Sequence, residues 1–298
     1  MVTRDQVVDS PAFRLPPGTR IGAVTLQVAH LERSLAFYRE VIGFELLAQD
    51  EVSGHRTARL GAPASNRVLL ELREKPGAHP VPRRGRLGIY HFAVLLPTRG
   101  DLGRFLQHAE ALGVRIGSAE HRVSEALYLV DPDGISIEVY RDRPREEWPY
   151  RDGELLAPSD PLDGQGVLAA AGSGPWRGLP AGTTIGHMHF YVGDIPAAEA
   201  FYHQALGFDK TMWTVPQMLF VSAGGYHHHV GLNTWAAGSP VATDDDAKLL
   251  LWELVLPDQS AAAAAAESLR RAGYPVSQTG DNFLAQDPWS IEVLLSHN

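Results

Sequence analysis

Cysteine is absent from the 298 residues. That excludes disulfides, thiolate metal sites, iron–sulfur clusters and cysteine nucleophiles together. Any bound metal must rest on His, Asp or Glu. No apolar run approaches the ~20 residues of a membrane-spanning helix. No basic start followed by an apolar stretch marks a secretory signal. The expectation is a cytoplasmic protein with no membrane partner. Phosphate-cradling glycine patterns and a nucleophile elbow are also missing, so nucleotide and acyl-transfer chemistry have no support. Positive charge is scarce: 26 Lys and Arg stand against 35 Asp and Glu, a net charge of −9. Such a chain has no global field to hold nucleic acid. Its one dense basic stretch, Arg83-Arg84-Gly85-Arg86, is too short to change that.

What is present is a globular composition, 44% hydrophobic and 20% charged. The length suggests two domains. There are also 13 His, whose placement carries the chemistry.

Two stretches align without a gap: IGAVTLQVAHLERSLAFYREVIGF (21–44) and IGHMHFYVGDIPAAEAFYHQALGF (185–208). Each reads as an alternating strand, a polar turn, a helix stopped by glycine, and a second strand. Weaker copies begin at YHFAVLLP (90–97) and LLWELVLP (250–257). They end in DPDGISIEV (131–139) and DPWSIEV (287–293). Four βαβββ modules follow, over about 20–75, 88–140, 184–235 and 248–295. The predicted organisation is an extension (1–19), a first domain of modules 1 and 2 (20–140), a Pro/Gly-rich linker (141–183) and a second domain of modules 3 and 4 (184–298). The linker is long enough to let module 2 pair with 3 and module 1 with 4.

The first strands of the modules carry Thr25, His91, His189 and Leu251 at matched positions. Two imidazoles and one carboxylate on adjacent strands form a facial set that leaves coordination positions open, the pattern of mononuclear iron oxygenases. His91, Glu138 and His189 fit this if modules 2 and 3 close one cup. Modules 1 and 4, with Thr25 and Leu251, would make a poorer one. His187 shares a face with His189 and is a second-rank ligand. Glu292, in the other IEV strand, is a competing carboxylate.

The fourfold module, the two AFY…LGF repeats, HFAV, DPDGISIEV and YHHHVGLNTW resemble the vicinal oxygen chelate superfamily. More narrowly they are similar to its catechol 2,3-dioxygenase-like extradiol enzymes. The resemblance implies an α+β fold of four βαβββ modules forming two cup-shaped mixed sheets. It implies Fe(II), with Mn(II) as an alternative, a small aromatic diol and O2 as substrates, and ring opening beside the two hydroxyls. It implies an acid/base histidine, His229 or, on the other face, His228. It implies Tyr128 on a substrate oxygen and His121 lining the pocket. Phe190, Trp213, Phe220 and Trp235 are candidate apolar walls. Two other readings stay open: a metal-dependent lyase or isomerase of the glyoxalase kind, and a protein that binds an aromatic ligand without turnover. Exposed sheet edges leave a homodimer possible.

Overall fold

The computed structural model of the protein describes residues 11–63 and 65–298. Module 1 supplies β1 (Arg20–Val28), α1 (Leu31–Ala36), β2 (Glu45–Val52), β3 (His55–Gly61) and β4 (Leu70–Glu74). Module 2 supplies β5 (Gly88–Leu95), α2 (Arg99–Ala111), β6 (Gly117–Glu120), β7 (Ser124–Val130) and β8 (Ser136–Asp142). Then come a hairpin, β9 (Tyr150–Arg151) and β10 (Glu154–Leu155), and a short helix, α3 (Gly164–Ala170). Module 3 supplies β11 (Thr184–Tyr191), α4 (Ile195–Ala198), β12 (Asp209–Met212), β13 (Met218–Ser222) and β14 (Val230–Asn233). Module 4 supplies β15 (Lys248–Leu256), α5 (Gln259–Arg271), β16 (Val276–Thr279), β17 (Asn282–Gln286) and β18 (Glu292–His297). This is an α+β protein of four βαβββ modules.

The strands form two eight-stranded mixed sheets. One runs β16-β17-β18-β15-β1-β4-β3-β2, from modules 4 and 1. The other runs β12-β13-β14-β11-β5-β8-β7-β6, from modules 3 and 2. Each sheet is joined at its centre by antiparallel first strands, β15 with β1 and β11 with β5.

Local chemistry explains the repeated helices. Thr98, Asp194 and Asp258 each follow the first strand of their module and accept the hydrogen bond that caps the helix. The AFY segments widen into a π-turn, Phe37–Ile42 and Glu199–Ala205. Both turns lead to a glycine in the left-handed region, Gly43 at φ 94° and Gly207 at φ 96°. A Cβ there would also meet neighbouring backbone at 2.7 and 2.6 Å, from Gly178 and Phe13. The stop therefore requires glycine twice over.

Alternation sorts each strand of the second sheet between two environments. Phe92, Val94, Leu127, Leu129, Ile137, Val139 and Phe190 point to the core, where they join Val24, Leu26, Val28 and Trp252 of the other sheet in one cluster. His91, Ala93, Tyr128, Glu138 and His187 point the other way, into the cup.

The AFY tyrosines tie modules together along the other diagonal. Tyr38 donates to Asp131 Oδ2 and Tyr202 donates to Asp287 Oδ2, each at 2.9 Å. Oδ1 of each aspartate accepts two backbone N–H groups of its own turn. Module 1 thus grips module 2, and module 3 grips module 4, while the sheets join 1 with 4 and 2 with 3.

The 141–183 segment also carries structure. Trp148 is buried. The Glu154 carboxylate accepts from the Trp213 and Thr214 N–H groups at 2.5 and 2.7 Å, which fastens the hairpin to the turn after β12. Among the described residues no helix is long and apolar enough to cross a membrane.

Burial raises both aspartates to about 6, against which the backbone N–H groups and the tyrosines pull down. A folded value above that of an exposed Asp means the carboxyl favours the folded state at low pH, and that contribution is lost as pH rises through about 6. The tyrosine hydroxyl stabilises the charged form. Tyr38→Phe is therefore expected to cost about 1–2 kcal/mol at pH 7 and less at pH 4.5. Urea unfolding at the two pH values checks this; an equal loss at both would refute a charged Asp131.

Candidate metal centre and its cavity

A row of directly opposed residues crosses the middle of the second sheet. Tyr128 on β7 faces Glu138 on β8, Glu138 faces Ala93 on β5, and Ala93 faces His187 on β11. The small Ala93 leaves space between the carboxylate and the imidazole. His91, two residues along β5, reaches into that space from the same face. The result is a triangle. His91 Nε2 lies 3.1 Å from Glu138 Oε2, His187 Nε2 lies 3.2 Å from the same oxygen, and the two nitrogens are 3.3 Å apart.

All three side chains are buried. Burial chiefly lowers both imidazoles from their ordinary value, against the pull of Glu138. They are neutral near pH 7, with lone pairs to offer. A buried carboxylate among neutral rings carries an uncompensated charge, which is costly. Three donors ~3.0 Å apart are what adjacent ligands ~2.1 Å from one ion require. The set of two imidazoles and one carboxylate, His91, Glu138 and His187, therefore fits a divalent metal on both charge and spacing. Their Nδ1 atoms have no protein partner. Ring packing holds them instead, with Tyr90 and Tyr128 against His91, and Tyr140 and His228 against His187.

The expected set of His91, Glu138 and His189 is not the one brought together. His189 stands directly opposite His91, with ring centroids 4.9 Å apart, but its Nε2 is taken. Asn233 Oδ1 accepts the Trp235 N–H, which fixes the amide so that Nδ2 donates to His189 Nε2 at 2.9 Å. The His189 ring lies over Gly231, where a Cβ would approach within 2.9 Å. His91 and His189 share the HFxV pattern and pair directly across the β5–β11 seam. That pattern carried no information on where each nitrogen points. A bulge between Ile185 and His187 shifts β11 and brings His187 into the Glu138 row.

A cavity of about 420 Å³ opens over the triangle. His121, Tyr128, His189, Phe220, His228 and Trp235 line it, with Met212, Val215 and Met218 from the β12–β13 hairpin and Ala157, Pro158 and Ser159 from the 141–183 segment. Tyr128 Oη and His121 Nε2 are 2.8 Å apart, and His121 Nδ1 is 2.7 Å from the Pro158 carbonyl. A carbonyl only accepts, so Nδ1 donates and Nε2 accepts from Tyr128. Of the two expected acid/base histidines, His228 is the one in the cavity. Its ring stacks on Phe220 and lies 4.1 Å from that of His187. Burial, then His187 and His227, hold it well below its ordinary value. His229 faces away, against Phe208, with Nδ1 accepting the Ala223 N–H at 3.1 Å. Burial and His227 push it down to about 3.

Three other expected residues lie elsewhere. Phe190 is in the core against Tyr202 and Trp252, because alternation turns it away from the cup. Trp213 does not line the cavity. Glu292 belongs to the other sheet and lines a separate cavity with Arg73 and Lys248. On the first sheet Glu71 pairs instead with Arg59 and Arg73. Ala93, Asn233, Gly231 and Asp142 were not singled out from the sequence, and His227 was given no role there. The YHHHVGLNTW string contains His227, Gly231 and Asn233.

Residues 20–139 and 184–283 match the model of the Glyoxalase/Bleomycin resistance protein/Dioxygenase superfamily. The chain belongs to that superfamily. It is 44% identical over 275 residues to the catechol-2,3-dioxygenase of Bacillus subtilis (strain 168), covering 91% of this chain and 95% of that protein. It is 27% identical over 148 residues to biphenyl-2,3-diol 1,2-dioxygenase 3 of Rhodococcus globerulus, covering 45% and 71%. A solved structure from Bacillus subtilis subsp. subtilis str. 168 shares the fold, with a TM-score of 0.66 at 13% identity over 96% of this chain and 86% of that one. The extent of the first match identifies this chain as an enzyme of the extradiol dioxygenase type.

Replacing His187 or His91 with Ala is expected to abolish stoichiometric divalent-metal retention through gel filtration. His189→Ala is expected to retain the metal, with affinity weakened by no more than about 10- to 100-fold. Metal analysis of the eluted protein reads the difference. Loss in His189→Ala as complete as in His187→Ala would overturn the assignment.

Proposed function

We propose that this protein opens the ring of a catechol-type substrate with O2, using Fe(II) held by His91, Glu138 and His187. The observation that carries the reading is a facial donor set at the floor of an apolar cavity. The full-length similarity to a protein named catechol-2,3-dioxygenase supports it. Mn(II) suits the same ligand types. When bound, the metal would supply a positive charge that acidifies the diol and open positions for both diol oxygens and O2.

The chain's own residues do the rest. Tyr128 is held by its hydrogen bond with His121 Nε2, and its hydroxyl lines the cavity where it can meet a substrate oxygen. Burial and the Glu138 charge raise this phenol well above its usual value, so it stays protonated. His228, neutral and beside the donor triangle, takes the hydroxyl proton and returns it later. Phe220, Trp235 and the methionines pack the ring and exclude water. Among the described residues no Lys or Arg lines this cavity, so none of them is set to pair with an anionic ring substituent.

Oxygen uptake on adding catechol to protein loaded anaerobically with Fe(II), with a metal-free control, tests the reaction. Iron-dependent uptake with a coloured ring-opened product is expected. No uptake with catechol or methylcatechol, from protein holding stoichiometric metal, would sink the reading in favour of a lyase or isomerase. Tyr128→Phe is expected to lower kcat/KM by about 10- to 100-fold with metal content unchanged. Methylcatechol is expected to exceed 3,4-dihydroxybenzoate in kcat/KM by at least ~10-fold, because the carboxylate would be buried unpaired.

A further inference from the structure

We propose that Asp142 and His227 act as positioning residues that hold His228 in the Nδ1–H form, with Nε2 unprotonated. The use of that Nε2 as a base rests on the dioxygenase reading; the protonation form does not.

The argument is one of donors and acceptors. His227 Nε2 lies 2.9 Å from Asp142 Oδ1. A carboxylate only accepts, so this nitrogen donates. A ring that carries one proton, donated through Nε2, presents Nδ1 as an acceptor. The partner of His227 Nδ1 is His228 Nδ1, 2.8 Å away, which must then carry the proton. His228 Nε2 is left with a lone pair on a residue that lines the cavity. Two adjacent histidines with Nδ1 facing Nδ1 admit no other assignment while His227 is neutral.

The surroundings hold the chain of groups in place. The His227 side chain is 0% exposed, with Tyr226 at 4.1 Å and Trp148 at 5.2 Å between ring centroids. Tyr226 Oη also donates to Asp142 Oδ1, at 3.1 Å, and Tyr140 Oη, 2.7 Å from Tyr226 Oη, donates in turn. Asp142 Oδ1 is therefore held from two sides. It lies at the end of β8, the strand that carries Glu138. His227 gives nothing to the cavity itself, so its buried, fully paired ring has no assigned use without His228.

Ring-nitrogen NMR of the metal-free protein, with 15N-labelled histidine, tests this. His228→Gln identifies the His228 signals by their loss. The expected wild-type result is a neutral His228 with a proton on Nδ1. His227→Phe removes the acceptor and is expected to convert His228 largely to the Nε2–H form. His227→Gln is expected to restore Nδ1–H, since its carbonyl accepts from His228 while its amide donates to Asp142. A wild-type His228 protonated on Nε2, or one unchanged in His227→Phe, overturns the proposal. Should His227→Phe fail to fold, the wild-type and His227→Gln spectra still decide. In the iron-loaded enzyme, His227→Phe is expected to lower kcat by about 10- to 100-fold with KM and metal content within about twofold, and His227→Gln to recover most of it. Equal rates in all three, with the tautomer changed as expected, would refute His228 as the base while leaving the protonation assignment standing.

Discussion

The antiparallel seam between β5 and β11 brings the chemistry of two distant modules onto one surface. Each module alone offers a strand with a histidine and a curled half-sheet. Paired, they set His91 against His187 and His189 and close a cup around Glu138. Inter-strand hydrogen bonds fix this pairing, and a side-chain period of two fixes which residues face inward. A slip of one residue would send Phe92 and Phe190 into the cup and the histidines into the core. The heavy apolar content of the opposite face resists that slip, so the packing of the core and the assembly of the donor triangle are one event.

The remaining modules make this seam durable. The sheets join modules 2 with 3 and 1 with 4, whereas Tyr38–Asp131 and Tyr202–Asp287 join 1 with 2 and 3 with 4. Neither sheet can be removed without breaking buried hydrogen bonds to the other. A large core cluster that spans both sheets carries the same message. The donor atoms are therefore positioned by strands rather than loops, which suits a site whose three ligands must stay about 3 Å apart.

The same module serves two ends in one chain. The second sheet's cup is lined by histidines and apolar side chains and stays open. The first sheet has Thr25 and Leu251 at the lead positions, and its Glu71 is paired with Arg59 and Arg73. Glu71 and Glu292 resemble Glu138 in strand position, but their neighbours differ. A carboxylate beside arginines is already compensated, whereas one beside neutral imidazoles calls for a cation.

Much was legible in the sequence because it is local. Repeats, capping residues, glycine stops and alternation specify four βαβββ modules, and two histidines with one glutamate at strand positions mark the second cup. His91 and Glu138 could be read this way, since strand register and face follow from spacing, whereas Tyr128 and His121 were expected only from the family resemblance. The choice of His187 over His189, and of His228 over His229, could not be read so. It depends on a bulge in β11, on an Asn233 amide oriented by the Trp235 N–H, and on an irregular turn before β14. Each is a contact between residues whose partners are set only when strands meet. Sequence by itself determined the modules and the residue types at their strands. Tertiary structure decided which nitrogens point at one another, because hydrogen-bond direction depends on neighbours that no single strand contains.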